Sequence, residues 1–165
     1  MTVSIRPAGP EDAAEILRLI RLQAAFEGEP DGVTLTEAAI RADGFGDGRR
    51  FEALLAEVDG AVRGLAVLYP AYSSWRGAPT LVIHDLFVEE EVRGGGLGAA
   101  LLRAAAALAE ARGCCRMDVN VLDWNEAARG FYRRLGFAAL DRWLPHRLER
   151  EAMARLAKKN PGERG

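Results

Sequence analysis

Apolar and polar positions along this chain follow two different periods, which predicts a mixture of helices and strands. Over residues 10–25 the apolar positions recur at helical spacing, and the segment opens with a proline and two acids, which suit a first turn. Two β-rich runs, 51–58 and 61–69, are joined by Asp59-Gly60, a strong signal for a two-residue hairpin. The pattern thus predicts an early helix followed by antiparallel strands.

The same patterns place the remaining elements. They predict a strand at 3–6, a helix ending near 43–44, a strand at 81–88, a helix at 97–111, a strand at 117–122, a helix at 126–135, a final pair of strands at 137–140 and 143–148, and a terminal helix at 149–159. The strand-helix-strand-helix order over 81–136 predicts a right-handed crossover and an α+β fold. We expect one domain over residues 1–159 and a frayed tail at 160–165.

Composition narrows the classes of partner. The chain has 165 residues, 49% of them hydrophobic, which is enough to bury the core of one domain. Its 22 lysines and arginines against 24 aspartates and glutamates give no basic field, so we expect no nucleic-acid or membrane partner. No apolar run approaches the roughly 20 residues that a membrane span needs, and a cytoplasmic location is expected.

The cysteines and histidines offer little for metal or thiol chemistry. Cys114 and Cys115 are adjacent, which suits neither an ordinary disulfide nor a zinc half-site. A nucleophilic thiol would need a neighbouring base, and only His84 and His146 are available. We therefore expect no metal and interpret the two cysteines as small apolar residues that enter a buried strand.

A glycine-rich loop, Arg93-Gly94-Gly95-Gly96-Leu97-Gly98, directly precedes the predicted helix at 97–111. Backbone N–H groups at a helix N-terminus favour an anion, so the loop predicts a phosphate site. A P-loop does not fit, because no Lys-Ser/Thr pair follows the glycines. Gly94-x-Gly96-x-x-Ala99 fits the dinucleotide pattern, but five residues separate it from the strand that ends at Val88. A third reading is the Arg/Gln-x-x-Gly-x-Gly/Ala signature, which Arg93, Gly96 and Gly98 match.

With that signature, four further segments make the chain resemble the GNAT superfamily of N-acetyltransferases, and within it the spermidine/spermine and thialysine acetyltransferases. The segments are residues 16–21, 41–46, 72–77 and 121–125, and the likeness runs from about Ile5 to Trp143. The resemblance implies a mixed, mostly antiparallel central sheet with a splayed strand pair and helices on both faces. It also implies acetyl-CoA as cosubstrate, a small-molecule amine as acceptor and a homodimer.

The resemblance also assigns site residues. Tyr132 would protonate the departing sulfur, and Asn125, about two helical turns earlier, would contact the cofactor. The backbone of Leu86, Phe87 and Val88 would bind the pantetheine arm, with the Val88 N–H near the oxyanion. The full set of implied cofactor contacts is Leu86, Phe87, Val88, Arg93, Gly94, Gly95, Gly96, Leu97, Gly98, Ala99, Asn125, Glu126, Ala128 and Phe131.

The acceptor side differs from the polyamine enzymes that the chain resembles. They carry a glutamate where this chain has His84, and an imidazole keeps a proton acceptor but removes an attraction for a second ammonium. His84 is thus a candidate base or substrate contact, while strand alternation places it and Asp85 on opposite faces. The resemblance adds further acceptor contacts, namely Phe26, Glu27, Asp118 and Asn120.

The expected function is transfer of acetyl from acetyl-CoA to a primary amine of a small polyamine-like or lysine-analogue substrate. Two alternatives stay open from the residues. One is acetylation of a protein N-terminus or of a xenobiotic amine. The other is a coenzyme A-binding sensor without transferase activity, which an intact Tyr132 and Asn125 disfavour.

Overall fold

A computed structural model describes residues 1–158, so the predicted tail at 160–165 lies outside the described residues. The chain divides into two compact units, Met1–Leu122 and a second that begins at Asp123. The single domain expected over 1–159 stays a prediction.

The first unit contains one five-stranded sheet. Its strands are β1 (Val3–Pro7), β2 (Glu52–Val58), β3 (Ala61–Ser73), β4 (Ala78–Val88) and β5 (Met117–Val119), and they lie side by side in that order. All neighbouring pairs are antiparallel except β4 and β5, which are parallel. The hairpin predicted at Asp59-Gly60 is confirmed, since both residues have positive φ, as its tight turn requires.

Three α-helices belong to this unit, namely α1 (Ala13–Phe26), α2 (Glu37–Gly44) and α3 (Leu97–Ala111). Short 3₁₀ turns at Pro10–Asp12 and Glu90–Val92 precede α1 and follow β4. The Thr36 hydroxyl caps α2 by accepting the Ala39 N–H at 3.1 Å. The predicted helix at 97–111 agrees with α3 at both ends.

The helices cover both faces of the sheet. Ile16 and Leu19 of α1 and Ile40 of α2 share a core with Leu55 and Leu65 from the middle of the sheet. On the opposite face, α3 packs closely against Gly64 of β3. A Cβ atom placed on Gly64 would lie only 3.4 Å from a methyl group of Leu101 in α3. Neighbouring strand residues point to opposite faces, so this alternation separates the two helical layers.

A β-bulge interrupts β4 where candidate site residues lie. Val67 pairs with Asp85 and Leu68 with Ile83, so His84 is one extra residue in β4. The His84 ring lies edge-on to that of Tyr69, with centroids 5.7 Å apart. Tyr69 and Val67 share the α1 face, so His84 and Asp85 also lie on that face. The prediction that they lie on opposite faces was wrong, because the extra residue breaks the alternation.

The β4 and β5 strands separate beyond the bulge. Their ladder pairs Leu81 to Ile83 with Met117 to Val119 and then stops, while β4 continues to Val88. The splayed strand pair is thus confirmed. β5 ends at Val119, three residues earlier than predicted, because β4 no longer runs beside it.

The second unit contains α4 (Glu126–Arg134) and α5 (Arg150–Ala157). The strands predicted at 137–140 and 143–148 were wrong, since neither segment forms a strand. Pro145 removes a ladder donor, and Leu140, Trp143 and Leu144 are 65–77% exposed, so no partner surface buries their alternating apolar side chains. No helix within residues 1–158 is long and apolar enough to cross a membrane.

Candidate active site

The glycine loop forms a turn that presents backbone donors at the start of α3. Gly94 and Gly96 have φ of +81° and +82°, a left-handed conformation that side chains disfavour. Gly96 is the N-cap of α3, and no side chain caps the helix. The first N–H groups of a helix have no intrahelical acceptor and carry partial positive charge. This donor set fits the diphosphate of acetyl-CoA, and Gly94, Gly95, Gly96, Leu97, Gly98 and Ala99 are the residues that would hold it.

Arg93, the first residue of the loop, is held by two aromatic rings and one carbonyl. Its Nε donates to the Val88 carbonyl at 2.8 Å. Its guanidinium carbon lies 4.6 Å from the Phe26 ring centroid and 5.4 Å from that of Phe87. Phe26 ends α1 and Phe87 lies in β4. The structure thus brings three predicted site residues from separate elements into one cluster.

Near its end, β4 has backbone N–H groups on the side facing away from β3, where β5 no longer pairs with it. The Glu89 N–H donates toward β3, to the Arg63 carbonyl at 3.0 Å. Neighbouring residues of an antiparallel strand direct their N–H groups to opposite sides, so Val88 and Leu86 direct theirs away from β3. This placement fits an extended ligand strand such as the pantetheine arm.

Two carboxylates meet at the end of α1 through a bridging amide. The Gln23 Nε2 group donates to Glu27 Oε1 at 3.1 Å and to Asp85 Oδ1 at 3.3 Å. The buried Gln23 Oε1 has no hydrogen-bond partner. Sequence reasoning proposed Glu27 but missed Gln23 and Asp85. The i, i+4 spacing of Gln23 and Glu27 on a helix was an available signal for one of these contacts.

The charge balance at this bridge favours a cation. Burial raises the pKa of Asp85 above its ordinary value; the interaction with His84 opposes this rise, and the nearby Glu27 adds to it. Within residues 1–158 no arginine or lysine forms an ion pair with Asp85 or Glu27. Two acids without a fixed counter-cation stabilise a cationic group that enters between them.

Glu89 directly follows β4, and in the part of the chain that the structure describes it is paired with arginine side chains, unlike Asp85 and Glu27. A run of three acids such as Glu89–Glu91 is typical of solvated surface, but Glu89 is only 6% exposed. Its carboxylate forms ion pairs with Arg18 of α1 and, at 2.7 Å, with Arg63 of β3. Burial opposes ionisation, but hydrogen bonds from Arg63 and Arg18 outweigh it and hold the pKa of Glu89 below its usual range. The interpretation of Glu89 as a surface charge was therefore wrong.

Asp118 lies in β5 and Asn120 directly follows that strand. Asp118 forms an ion pair with Arg116 at 2.9 Å and is in register with Val82 of β4. Asn120 is exposed and follows the end of β5. No described contact joins either residue to Gln23, so their role in binding the acceptor stays a prediction.

The second unit holds the remaining predicted residues. The Asn125 side chain caps α4 by accepting the Ala128 N–H at 3.0 Å. Tyr132 is buried, and its ring lies edge-on to those of Phe131 and Phe137, with centroids 5.2 and 5.3 Å away. The side chain of Glu126 is exposed and pairs with Arg129. The ring contacts fix the orientation of the Tyr132 phenol within this unit.

Comparisons with known proteins agree with this architecture. A model of the acetyltransferase (GNAT) family matches residues 15–137. The chain is 38% identical over 168 residues to a thialysine N-epsilon-acetyltransferase of Bos taurus, covering 95% of this chain and 98% of that one. It is 35% identical over 163 residues to spermidine/spermine N(1)-acetyltransferase-like protein 1 of Homo sapiens, covering 93% of this chain and 23% of that one.

A solved structure shows the same fold. An integron cassette protein from the mobile metagenome of V. cholerae superimposes with a TM-score of 0.80 and 22% identity, covering 96% of this chain and 99% of its own. The fold and the family match together show that the chain belongs to the acetyltransferase (GNAT) family. It is an acetyl-CoA-dependent N-acetyltransferase.

Proposed function

We propose that this enzyme transfers acetyl to a primary amine of a small acceptor that carries a second ammonium, such as a polyamine-like or lysine-analogue molecule. The observation that carries the proposal is the pair Glu27 and Asp85, which Gln23 bridges and which forms no ion pair with an arginine or lysine within residues 1–158. An acceptor ammonium supplies the missing positive charge. Thialysine, spermidine and spermine, which appear in the names of these relatives, are molecules of this kind.

The donor side is assigned to the glycine loop and the open edge of β4. The loop N–H groups would bind the diphosphate, and the backbone of Leu86 and Val88 would bind the pantetheine arm. Arg93, stacked on Phe26 and Phe87, would lie between the two substrates. Acetyl-CoA supplies a thioester, and the residues of the chain orient it and move the protons.

Two side chains are assigned to proton transfer. His84 is exposed on the face that bears Asp85, and its ring is oriented by Tyr69. It would accept the proton that the amine loses as its nitrogen bonds to the acetyl carbon. Tyr132 would donate a proton to the sulfur as the carbon-sulfur bond breaks. The reaction then yields an amide and a free thiol without a covalent enzyme intermediate.

A panel of amines tests the acceptor class. Purified enzyme with acetyl-CoA is assayed for free thiol against diamines, lysine analogues, monoamines of matched length and peptides with a free N-terminus. We expect the highest kcat/KM for acceptors with two amino groups. Equal rates on matched monoamines, or a preference for peptides, would contradict the proposal, and acetyl-CoA binding without turnover on any amine would indicate a sensor.

The acid role of Tyr132 has its own test. Because a proton donor acts in the transition state, Tyr132→Phe should lower kcat by about 100-fold and leave the Kd of acetyl-CoA unchanged. Tyr72→Phe, the same change at an exposed tyrosine of β3, is the matched control and should leave kcat unchanged. An unchanged kcat would remove Tyr132 from the mechanism.

The assembly and location of the enzyme are further expectations. We infer a homodimer, as the resemblance to the polyamine and thialysine acetyltransferases implies, and a cytoplasmic location, as the sequence led us to expect. Light scattering of the purified protein measures its stoichiometry, and a monomeric mass at micromolar concentration would contradict a homodimer.

A further inference from the structure

Glu89 occupies an unusual position for an acidic residue in a run of three. Glu90 and Glu91 are exposed, whereas Glu89 is buried and has both carboxylate oxygens in ion pairs. It directly follows Val88, the last residue of β4, and precedes the glycine loop. The burial of this one acid needs an explanation that a solvated surface run does not provide.

The Glu89 carboxylate connects three elements of the first unit. Arg18 reaches it from α1, and that guanidinium also donates to the Val62 carbonyl of β3 at 2.9 Å. Arg63 reaches it from β3, and the Arg63 carbonyl accepts the Glu89 N–H. Both guanidinium groups therefore hold the end of β4 against α1 and β3.

The segment between Glu89 and the loop is fixed as well. The Glu89 carbonyl accepts the Val92 N–H at 3.1 Å, and the Glu90 carbonyl accepts the Arg93 N–H at 3.1 Å. The Arg93 side chain returns to the Val88 carbonyl. The path from Glu89 to Gly94 is thus one hydrogen-bonded turn whose first residue is anchored by two arginines.

We propose that Glu89 is a positioning residue for acetyl-CoA, because its ion pairs with Arg18 and Arg63 set where the glycine loop begins. The inference rests on the proposed assignment of that loop to the diphosphate. A loop whose donors are already in place binds its ligand without a further ordering cost. Loss of the anchor should therefore weaken acetyl-CoA binding and leave acceptor binding unchanged.

The sign of the effect separates positioning from electrostatics. Glu89→Gln removes a negative charge near a site for an anionic ligand, so electrostatics alone would tighten acetyl-CoA binding. Loss of the anchor would weaken it. We expect the Kd of acetyl-CoA, measured by isothermal titration calorimetry, to rise about 10-fold. The KM of the amine should stay within about twofold.

Matched variants control for general loss of stability. Glu57 accepts hydrogen bonds from Arg6 and Ser4 at the other edge of the sheet, so Glu57→Gln removes a similar carboxylate away from the loop. It should lower Tm without changing the Kd of acetyl-CoA. Gly96→Ala strains the loop itself and should weaken binding if the loop holds the diphosphate.

A double-mutant cycle tests whether the arginines act through Glu89. Arg63→Met should raise the Kd of acetyl-CoA about threefold in the wild type and leave it unchanged in the Glu89→Gln background. Because the Arg63 side chain is 44% exposed, this variant should fold. If Glu89→Gln does not fold, Glu89→Asp keeps the charge but shortens the reach of the carboxylate to both arginines. It should also raise the Kd of acetyl-CoA, whereas electrostatics alone predicts no change.

Each outcome decides between the two proposals. Weaker acetyl-CoA binding in Glu89→Gln and Gly96→Ala, but not in Glu57→Gln, supports the positioning role. Unchanged or tighter binding in Glu89→Gln, or an equal effect of Arg63→Met in both backgrounds, overturns it. Unchanged binding in Gly96→Ala overturns the loop assignment, and the positioning role with it.

Discussion

Asp85 lies in β4 and Glu89 directly follows that strand, yet the structure gives these two carboxylates opposite surroundings. Glu89 is enclosed by two guanidinium groups that hold its pKa below the usual range. Asp85 is half-buried beside another acid, and burial raises its pKa. Of these two carboxylates, Glu89 alone forms ion pairs with arginine side chains among the described residues of the chain. Asp85 is the carboxylate that we propose binds the second ammonium of the acceptor.

The largest expected effect is the loss of stability in Glu89→Gln. The change leaves Arg18 and Arg63 without their shared carboxylate, and breaking a buried ion pair typically costs 3–5 kcal/mol. Because both guanidinium groups are partly exposed, we expect the free energy of unfolding to fall by about 2 kcal/mol. Urea denaturation at pH 7 measures this, and a change below about 0.5 kcal/mol would contradict the anchoring role.

Asp85→Asn should change the free energy of unfolding in the opposite direction. The charged form of Asp85 is disfavoured in the folded protein, while an asparagine oxygen can still accept from Gln23. We expect the free energy of unfolding at pH 7 to rise by about 1 kcal/mol. The same urea experiment compares both variants directly. A destabilised Asp85→Asn variant would remove the contrast between the two carboxylates.

The pH dependence of stability should also differ in sign. A carboxyl with a lowered folded pKa contributes stability above its unfolded value, so the contribution of Glu89 should be lost as pH falls through and below about 4.5. Asp85 has a raised pKa, so stability should fall as pH rises from about 3.8 through its folded pKa. Denaturation of wild type and both variants from pH 3.5 to 7 measures the two slopes. Parallel curves would contradict the assignment.

The smallest expected effect concerns the bridging amide. Gln23→Leu removes the hydrogen bonds to Asp85 and Glu27, each worth about 1 kcal/mol at most in a partly solvated site. The pKa of Asp85 should rise further, because the Gln23 bond lowers it. We expect kcat/KM for a diamine to fall about threefold at pH 7 and its acid limb to move to higher pH. Leu22→Ala, an exposed neighbour on α1, is the control and should show neither change.

The sequence predicted much of the fold because its signals were local. The helix at 97–111 has strong helix formers after a glycine cap, and Asp59-Gly60 requires a tight turn, so both were correct. The strands expected at 137–148 failed because strand formation also needs a partner surface, and alternation of apolar residues does not supply one. Where a strand ends likewise depends on its neighbour, as β5 shows.

The candidate site was predictable only in part. The glycine loop and the Phe26-Glu27 pair are contiguous motifs, so the sequence could point to them. The partners of Glu89 lie 71 and 26 residues away, and a run of three acids gives no sign that one is buried. The bulge at His84 could not be predicted from the sequence either. It arises from the register in which β4 pairs with β3, and residue type does not reveal that register. Asp85 shares the α1 face with Phe87 by ordinary alternation, whereas His84 lies on that face only because of the bulge.

The most direct test of the central claim is a ratio of acceptor preferences. The kcat/KM for 1,5-diaminopentane is divided by that for pentylamine, in wild type and in Asp85→Asn, at pH 7.5. If Asp85 binds the second ammonium, the wild-type ratio should exceed about 10 and should fall to between 1 and 2 in the variant, since a hydrogen bond to a charged group is worth about 1.5–3 kcal/mol. An identical ratio in both proteins would contradict the account.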